Sequence, residues 1–221
     1  MINYRLKTKE AYLHFLINDT RCNKKEFLSF VLKNMSNHKE IGYMGHKTKK
    51  EAISVISNSI FGKSNNHLSK FEVDLNKISK IISKTLKLCN KVVNSNKIYI
   101  FIFPTNNPFI IKNMRGVSGY CPWKKTILLF LNNNCDWELA LKETICHEYA
   151  HTFSHKNHNW ITLEDSIVFE GIAEHFRENV IGGKHALWTL ALKKSEVKAL
   201  FQDIKDSLND ESYGSYVKAL D

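Results

Sequence analysis

No CxxC pair and no Cys/His finger pattern occurs in this chain, whose five cysteines (Cys22, Cys89, Cys121, Cys135 and Cys146) are odd in number and widely spaced. That argues against a disulfide framework and against a cysteine-ligated zinc finger, and the thiols read as free, as in a reducing compartment. The N-terminus, MINYRLKTKEAYLHFLIND, lacks an apolar run of signal-peptide length. Nowhere do about 18 apolar residues follow one another, so no membrane span is expected either. A cytoplasmic protein is the expectation. Arginine clusters and recognised nucleic-acid-binding motifs are also missing, despite a formal charge of +10 and a pI near 9.3. Lysine is spread along the whole chain among Asn, Ile and Ser, which is a compositional bias and not a patch, so nucleic acid is not an expected partner. No internal repeat is visible.

What is present is ordinary for a globular protein: 221 residues, 43% hydrophobic and 24% charged, enough for one domain, or one domain with a helical extension, around a real core. The expected fold class is α+β, with a helical N-terminal region over residues 1–95 and a second region over 96–221, the two forming one compact unit. In the first, Phe27, Phe30, Val31 and Met35 form one stripe at helical spacing, and Phe71, Leu75, Ile78, Ile82, Leu86 and Cys89 form a longer one. In the second, IYIFIF after Lys97 and TILLFL from Thr126 to Leu131 read as strands, with a Gly-marked connection, RGVSGY, between them. Three helices follow: one from an Asp136 N-cap to about residue 155, one from Thr162 with Asp165 in a capping box to Gly182 and Gly183, and one from His185 to about Leu208.

The first of these helices carries HEYAH, residues 147–151, an instance of HExxH. Histidines four apart lie about one turn, ~6 Å, along one helix face, so both imidazoles can reach one tetrahedral metal. Glu148 projects beside such a metal and suits the general base that activates a zinc-bound water. In a chain of this composition HExxH arises by chance about three times in a hundred, so the motif needs support. Helix phase supplies some: Trp137, Leu141, Thr144, Ile145, Glu148 and Thr152 share one stripe, and a carboxylate on a core-facing line calls for a compensating cation.

The segment FEGIAEHF, residues 169–176, on the next helix supplies the third ligand a catalytic zinc requires, Glu170, eighteen residues after His151. Glu174, one turn on, shares its face with Leu163 and Ile167 on the inward side and is placed to accept the second ring N–H of a liganding histidine. Gly171, costly inside a helix by about 1 kcal/mol, is explained by close packing on the zinc helix. The metzincin pattern fails, since Ser154 and Asn157 stand where Gly and His are needed, and His155 and His158 read as loop or pocket-rim residues. Candidate donors to an oxyanion are Tyr213, Tyr216, His175 and Arg177. TILLFL is the expected edge strand on which an extended peptide would pair through Thr126, Ile127, Leu128 and Leu129, with Gly119 and Tyr120 bordering the cleft.

HEYAH followed by EGIAEHF resembles the gluzincin clan of zinc peptidases, in which HExxH is followed after eighteen residues by the Glu of an NEGFA-like segment, although Phe169 stands where those enzymes often have Asn. The longer stretch from GVSGY through EGIAEHF resembles a bacterial family of zinc-dependent proteases known as a domain of unknown function. The resemblance implies a zincin-like active-site helix and glutamate helix, one zinc per chain, and a peptide or protein substrate. Two rival readings are a metal-binding module without catalysis, against which the presence of Glu148 argues, and a basic nucleic-acid-binding or partner-binding protein with an accidental HExxH.

Overall fold

The computed structural model describes residues 1–35, 49–63, 65–94, 97–123, 125–154, 162–182, 189 and 192–211. Among these, the strands β1 (Ile2–Lys7), β2 (Ala11–Ile17), β5 (Ile98–Pro104), β7 (Thr126–Leu131) and β6 (Val117–Trp123) lie side by side in that order in one mixed sheet. A two-stranded ribbon joins β3 (Cys22–Asn23) to β4 (His67–Leu68). The helices are α1 (Lys24–Met35), α2 (Lys49–Phe61), α3 (Leu75–Val92), α4 (Pro108–Asn113), α5 (Glu138–Ser154), α6 (Leu163–Ile181) and α7 (Lys194–Ile204). The fold is α+β.

Strand alternation sorts the core into two layers. Ile98, Ile100 and Ile102 of β5, with Ile127 and Leu129 of β7, face a core completed by Ile78, Ile82 and Leu86 of α3, Leu141, Ile145 and Tyr149 of α5, and Phe176 of α6. Phe101 and Phe103, with Leu128 and Phe130, face the other core, shared with Phe27 and Val31 of α1 and Ile60 and Phe61 of α2. Each such side chain contributes about 1.5–3 kcal/mol on burial. Both expected N-terminal stripes are largely buried, on α1 and along α3, whose N-cap Asp74 accepts from the Asn76 and Lys77 N–H groups.

The first seventeen residues differ from the expected helical region. They form a hairpin, β1 antiparallel to β2, and β2 then pairs parallel to β5 with Ala11 opposite Ile98. The alternation Ile2, Tyr4, Leu6 carries a strand signal, but the second partner of β2, which ties the hairpin into the main sheet, lies far along the chain. One sheet therefore joins the 1–95 and 96–221 segments.

TILLFL is also placed differently. β7 runs parallel to β5 on one side and antiparallel to β6 on the other, and all six of its residues are buried. Thr126, Ile127, Leu128 and Leu129 thus sit inside the sheet and offer no edge to a peptide. The edge is β6. Its Pro122 lacks an N–H to give a ladder, and its pairing slips between Tyr120 and Trp123, both properties of an edge strand. A run that is apolar at five consecutive positions, Ile127 to Leu131, is what a strand covered on both faces requires, and that was the signal against an edge.

Among the described residues no helix is long and apolar enough to cross a membrane. All five cysteines are free thiols, and Cys89 on α3 points its Sγ at Cys146 Sγ on α5, 3.6 Å away.

Candidate metal centre

Helix α5 is buried nearly all round, packed against α3, α6 and β6, so its polar residues must find partners inside the protein. Helix α6 crosses it, starting at a Thr162–Asp165 capping box in which the Thr162 side chain accepts from the Asp165 N–H while the Asp165 carboxylate accepts from the Thr162 N–H. These two helices carry the site.

His147 and His151 meet with their rings nearly perpendicular and their Nε2 atoms 3.1 Å apart. Glu170 Oε2 reaches in from α6, 3.1 Å from His147 Nε2 and 3.6 Å from His151 Nε2. Ligand atoms about 2.0–2.1 Å from a tetrahedral zinc stand roughly 3.3–3.4 Å apart, so this triangle has the size one such ion needs. Two imidazoles and one carboxylate are also the donor types zinc accepts, with a fourth position left for water. The three residues fit the ion.

His147 Nδ1 lies 2.7 Å from Glu174 Oε1, which directs Nε2 into the triangle. The Phe169 ring lies flat on that of His151, centroids 4.0 Å apart. Burial alone would lower His147, but its hydrogen bonds with Glu170 and Glu174 outweigh this and hold it up at about 10. Burial raises Glu170, yet the hydrogen bonds from His147 and His151 win and keep its carboxyl well below the usual carboxylate range. A carboxylate held ionised beside two imidazoles is ready to ligate.

Glu148 points to the strand side. Its buried carboxylate lies against β6, where the Cys121 backbone N–H donates to it, and burial pushes its carboxyl up to about 7 while His147 pulls the other way. The approach is so close that a Cβ on Gly119 would stand 2.6 Å from Glu148 Oε1 and 2.6 Å from Thr144 Cγ2. Tyr120, next along, packs on the opposite core and does not border this side.

Other expectations are revised. A Cβ on Gly171 would meet nothing within 4 Å, so close helix packing does not explain that glycine, and Ile167 is exposed where an inward position was expected. Arg177 is only 2% exposed and its guanidinium is turned onto Glu174, Glu143 and Glu178, which removes it as a donor to substrate. Its position three residues after Glu174, on one helix face, was the available signal for this role. Glu143, four residues before His147, was overlooked for want of any cue to its burial. His175 is on the exposed side of α6. Tyr213, Tyr216, His155, His158 and Gly183 lie outside the described residues, as does the stretch from His185 to residue 188 at the start of the third expected helix, which is seen as α7 and a 3-10 turn over Lys205–Ser207.

On a mixed sheet, a helix with two facing histidines and a second helix that adds a glutamate bring together two imidazoles and one carboxylate that could hold one metal ion. Residues 78–219 match the family described as Predicted Zn-dependent protease (DUF2268), and the chain belongs to that family. Neither a curated protein nor a solved structure matches it.

Proposed function

We propose that this protein is a zinc-dependent peptidase of gluzincin type, hydrolysing peptide bonds with Glu148 as general base. The observation that carries the reading is the convergence of His147 Nε2, His151 Nε2 and Glu170 Oε2 beside a buried carboxylate that is not part of the triangle. A site serving only to staple two helices has no use for that carboxylate and usually closes with a fourth protein ligand.

His147, His151 and Glu170 would hold the ion, and Glu174 would fix the His147 ring with Nδ1–H donating to it. Zinc there would supply a Lewis acid that polarises the scissile carbonyl and acidifies water. Glu148 takes the proton of the attacking water on its carboxylate and delivers it to the leaving amine nitrogen, so hydrolysis passes through no covalent acyl intermediate. A carboxyl pushed toward neutrality by burial can both accept and return that proton near pH 7. An extended peptide would pair with the edge of β6, where the absence of a side chain at Gly119 leaves Glu148 and the strand in direct contact.

The test is Glu148→Gln on the purified chain, followed by metal analysis and a peptide-library assay. Near one zinc per chain with turnover reduced at least about 100-fold is expected. Loss of zinc along with activity would show that Glu148 belongs to the ligand set and not to the proton path.

A further inference from the structure

Behind Glu174 lies a buried guanidinium, Arg177, that the hydrolysis above does not use. Arg177 sits three residues beyond Glu174 on α6, and its Nε donates to Glu174 Oε2 at 2.8 Å. The other oxygen of the same carboxylate, Oε1, is the one 2.7 Å from His147 Nδ1. Arg177 Nη1 lies 3.8 Å from Glu143 Oε1 on α5, and Nη2 donates to Glu178 Oε1 at 3.4 Å. A continuous path Glu143–Arg177–Glu174–His147 therefore starts on α5, crosses to α6 and returns to α5 one turn later.

Burying a guanidinium is expensive, and an apolar side chain of similar volume fills a helix interface at lower cost. Retaining the arginine suits a position where orientation matters. The planar guanidinium grips one carboxylate oxygen with a directed N–H, which leaves the other oxygen aimed at the imidazole.

We propose that Arg177 is a positioning residue of the metal centre: acting through Glu174, and itself held from α5 by Glu143, it orients the His147 ring so that Nε2 faces the ion. This rests on the zinc reading of the site. A purely structural tie between α5 and α6 would stabilise the fold but would not couple to metal through Glu174.

The experiment is a double-mutant cycle on the full chain, with Arg177→Met and Glu174→Gln singly and together, reading zinc affinity by competition with a chromogenic chelator. Far-UV circular dichroism of each metal-free variant checks that it is folded. Arg177→Met, which leaves Glu174 in place, is expected to weaken zinc binding about 10-fold, the low end of what loss of a direct partner to a liganding histidine costs, and Arg177→Lys to recover part of that loss. In the Glu174→Gln background the same substitution is expected to cost less than about twofold. Should Arg177→Met fail to fold, the cycle is run with Arg177→Lys, which keeps the charge but not the planar fork. Equal losses in both backgrounds, or zinc affinity indifferent to Arg177, would overturn the proposal while leaving the peptidase reading intact. A wild type that takes up no zinc would overturn both.

Discussion

Replacing Gly119 by Ala probes the contact between the edge strand and Glu148, the proposed general base, most directly. The new Cβ would stand 2.6 Å from both Glu148 Oε1 and Thr144 Cγ2, and closer still to Glu148 Cγ. Carbon atoms rest comfortably about 3.5–4.0 Å apart, so roughly 1 Å of separation must be found. Thr144 and Glu148 are one turn apart on the same buried face of α5, so rotating one side chain leaves the other in collision. Either the helix retreats from β6 or the Glu148 carboxylate leaves its place beside the Cys121 N–H. Overpacking of this kind costs about 1–3 kcal/mol. At about 2–4 °C per kcal/mol for a chain of this size, the melting temperature should fall by roughly 2–12 °C. If Glu148 is the base, its displacement by ~1 Å should cost on the order of 100-fold in turnover. Zinc stoichiometry should stay near one, because none of the atoms nearest the added Cβ belongs to His147, His151 or Glu170. The measurements are differential scanning fluorimetry, metal analysis and initial rates on the best substrate of a peptide screen. A variant that melts and turns over as the wild type does would refute the close approach and, with it, the place assigned to Glu148.

Glu170→Ala should lower zinc content sharply in plasma mass spectrometry while both histidines remain, and full occupancy in that variant would mean the third ligand lies elsewhere. Metal uptake should be proton-linked: with His147 held up at about 10, its ring is protonated in the metal-free protein at pH 7.5, and zinc requires the neutral form. Affinity should therefore rise about tenfold per pH unit up to near pH 10 and level off above it. Calorimetry in buffers of different ionisation enthalpy reads the released proton, and a buffer-independent enthalpy would contradict the assignment. Thr162→Ala breaks the capping box that starts α6, at a cost of about 0.5–2 kcal/mol, and should lower the melting temperature by a few degrees. An unchanged melt would show that the cap is not used.

The ligand candidates were legible in the sequence because helix geometry is local. HEYAH specifies that His147 and His151 share a face whatever surrounds them, and EGIAEHF does the same for Glu170 and Glu174. The stripe that carried Glu148 toward the interior could be read for the same reason, as could the Thr162–Asp165 box. The N-terminal hairpin was harder to read. A short segment of alternating and apolar residues becomes part of a sheet only when partners are available on both sides, and while β1 is adjacent, the second partner of β2 is β5, beyond three helices among the described residues. The choice between Gly119 and Gly171 as the close-approach glycine also depended on which backbone lies beside α5, and no spacing encodes that.

By itself, the sequence determined what repeats every turn or every second residue: which side chains share a helix face, which runs are apolar on both sides, and which residue types could ligate a metal. Tertiary structure alone decided strand order, and so that β6 and not TILLFL forms the edge next to the metal-site helix. It also decided that Arg177 turns inward onto Glu174 instead of outward to a substrate. The physical reason is range. Helix faces follow from hydrogen bonds four residues apart, whereas strand neighbours and buried ion pairs depend on long-range packing, which settles which of several locally acceptable partners is brought within reach.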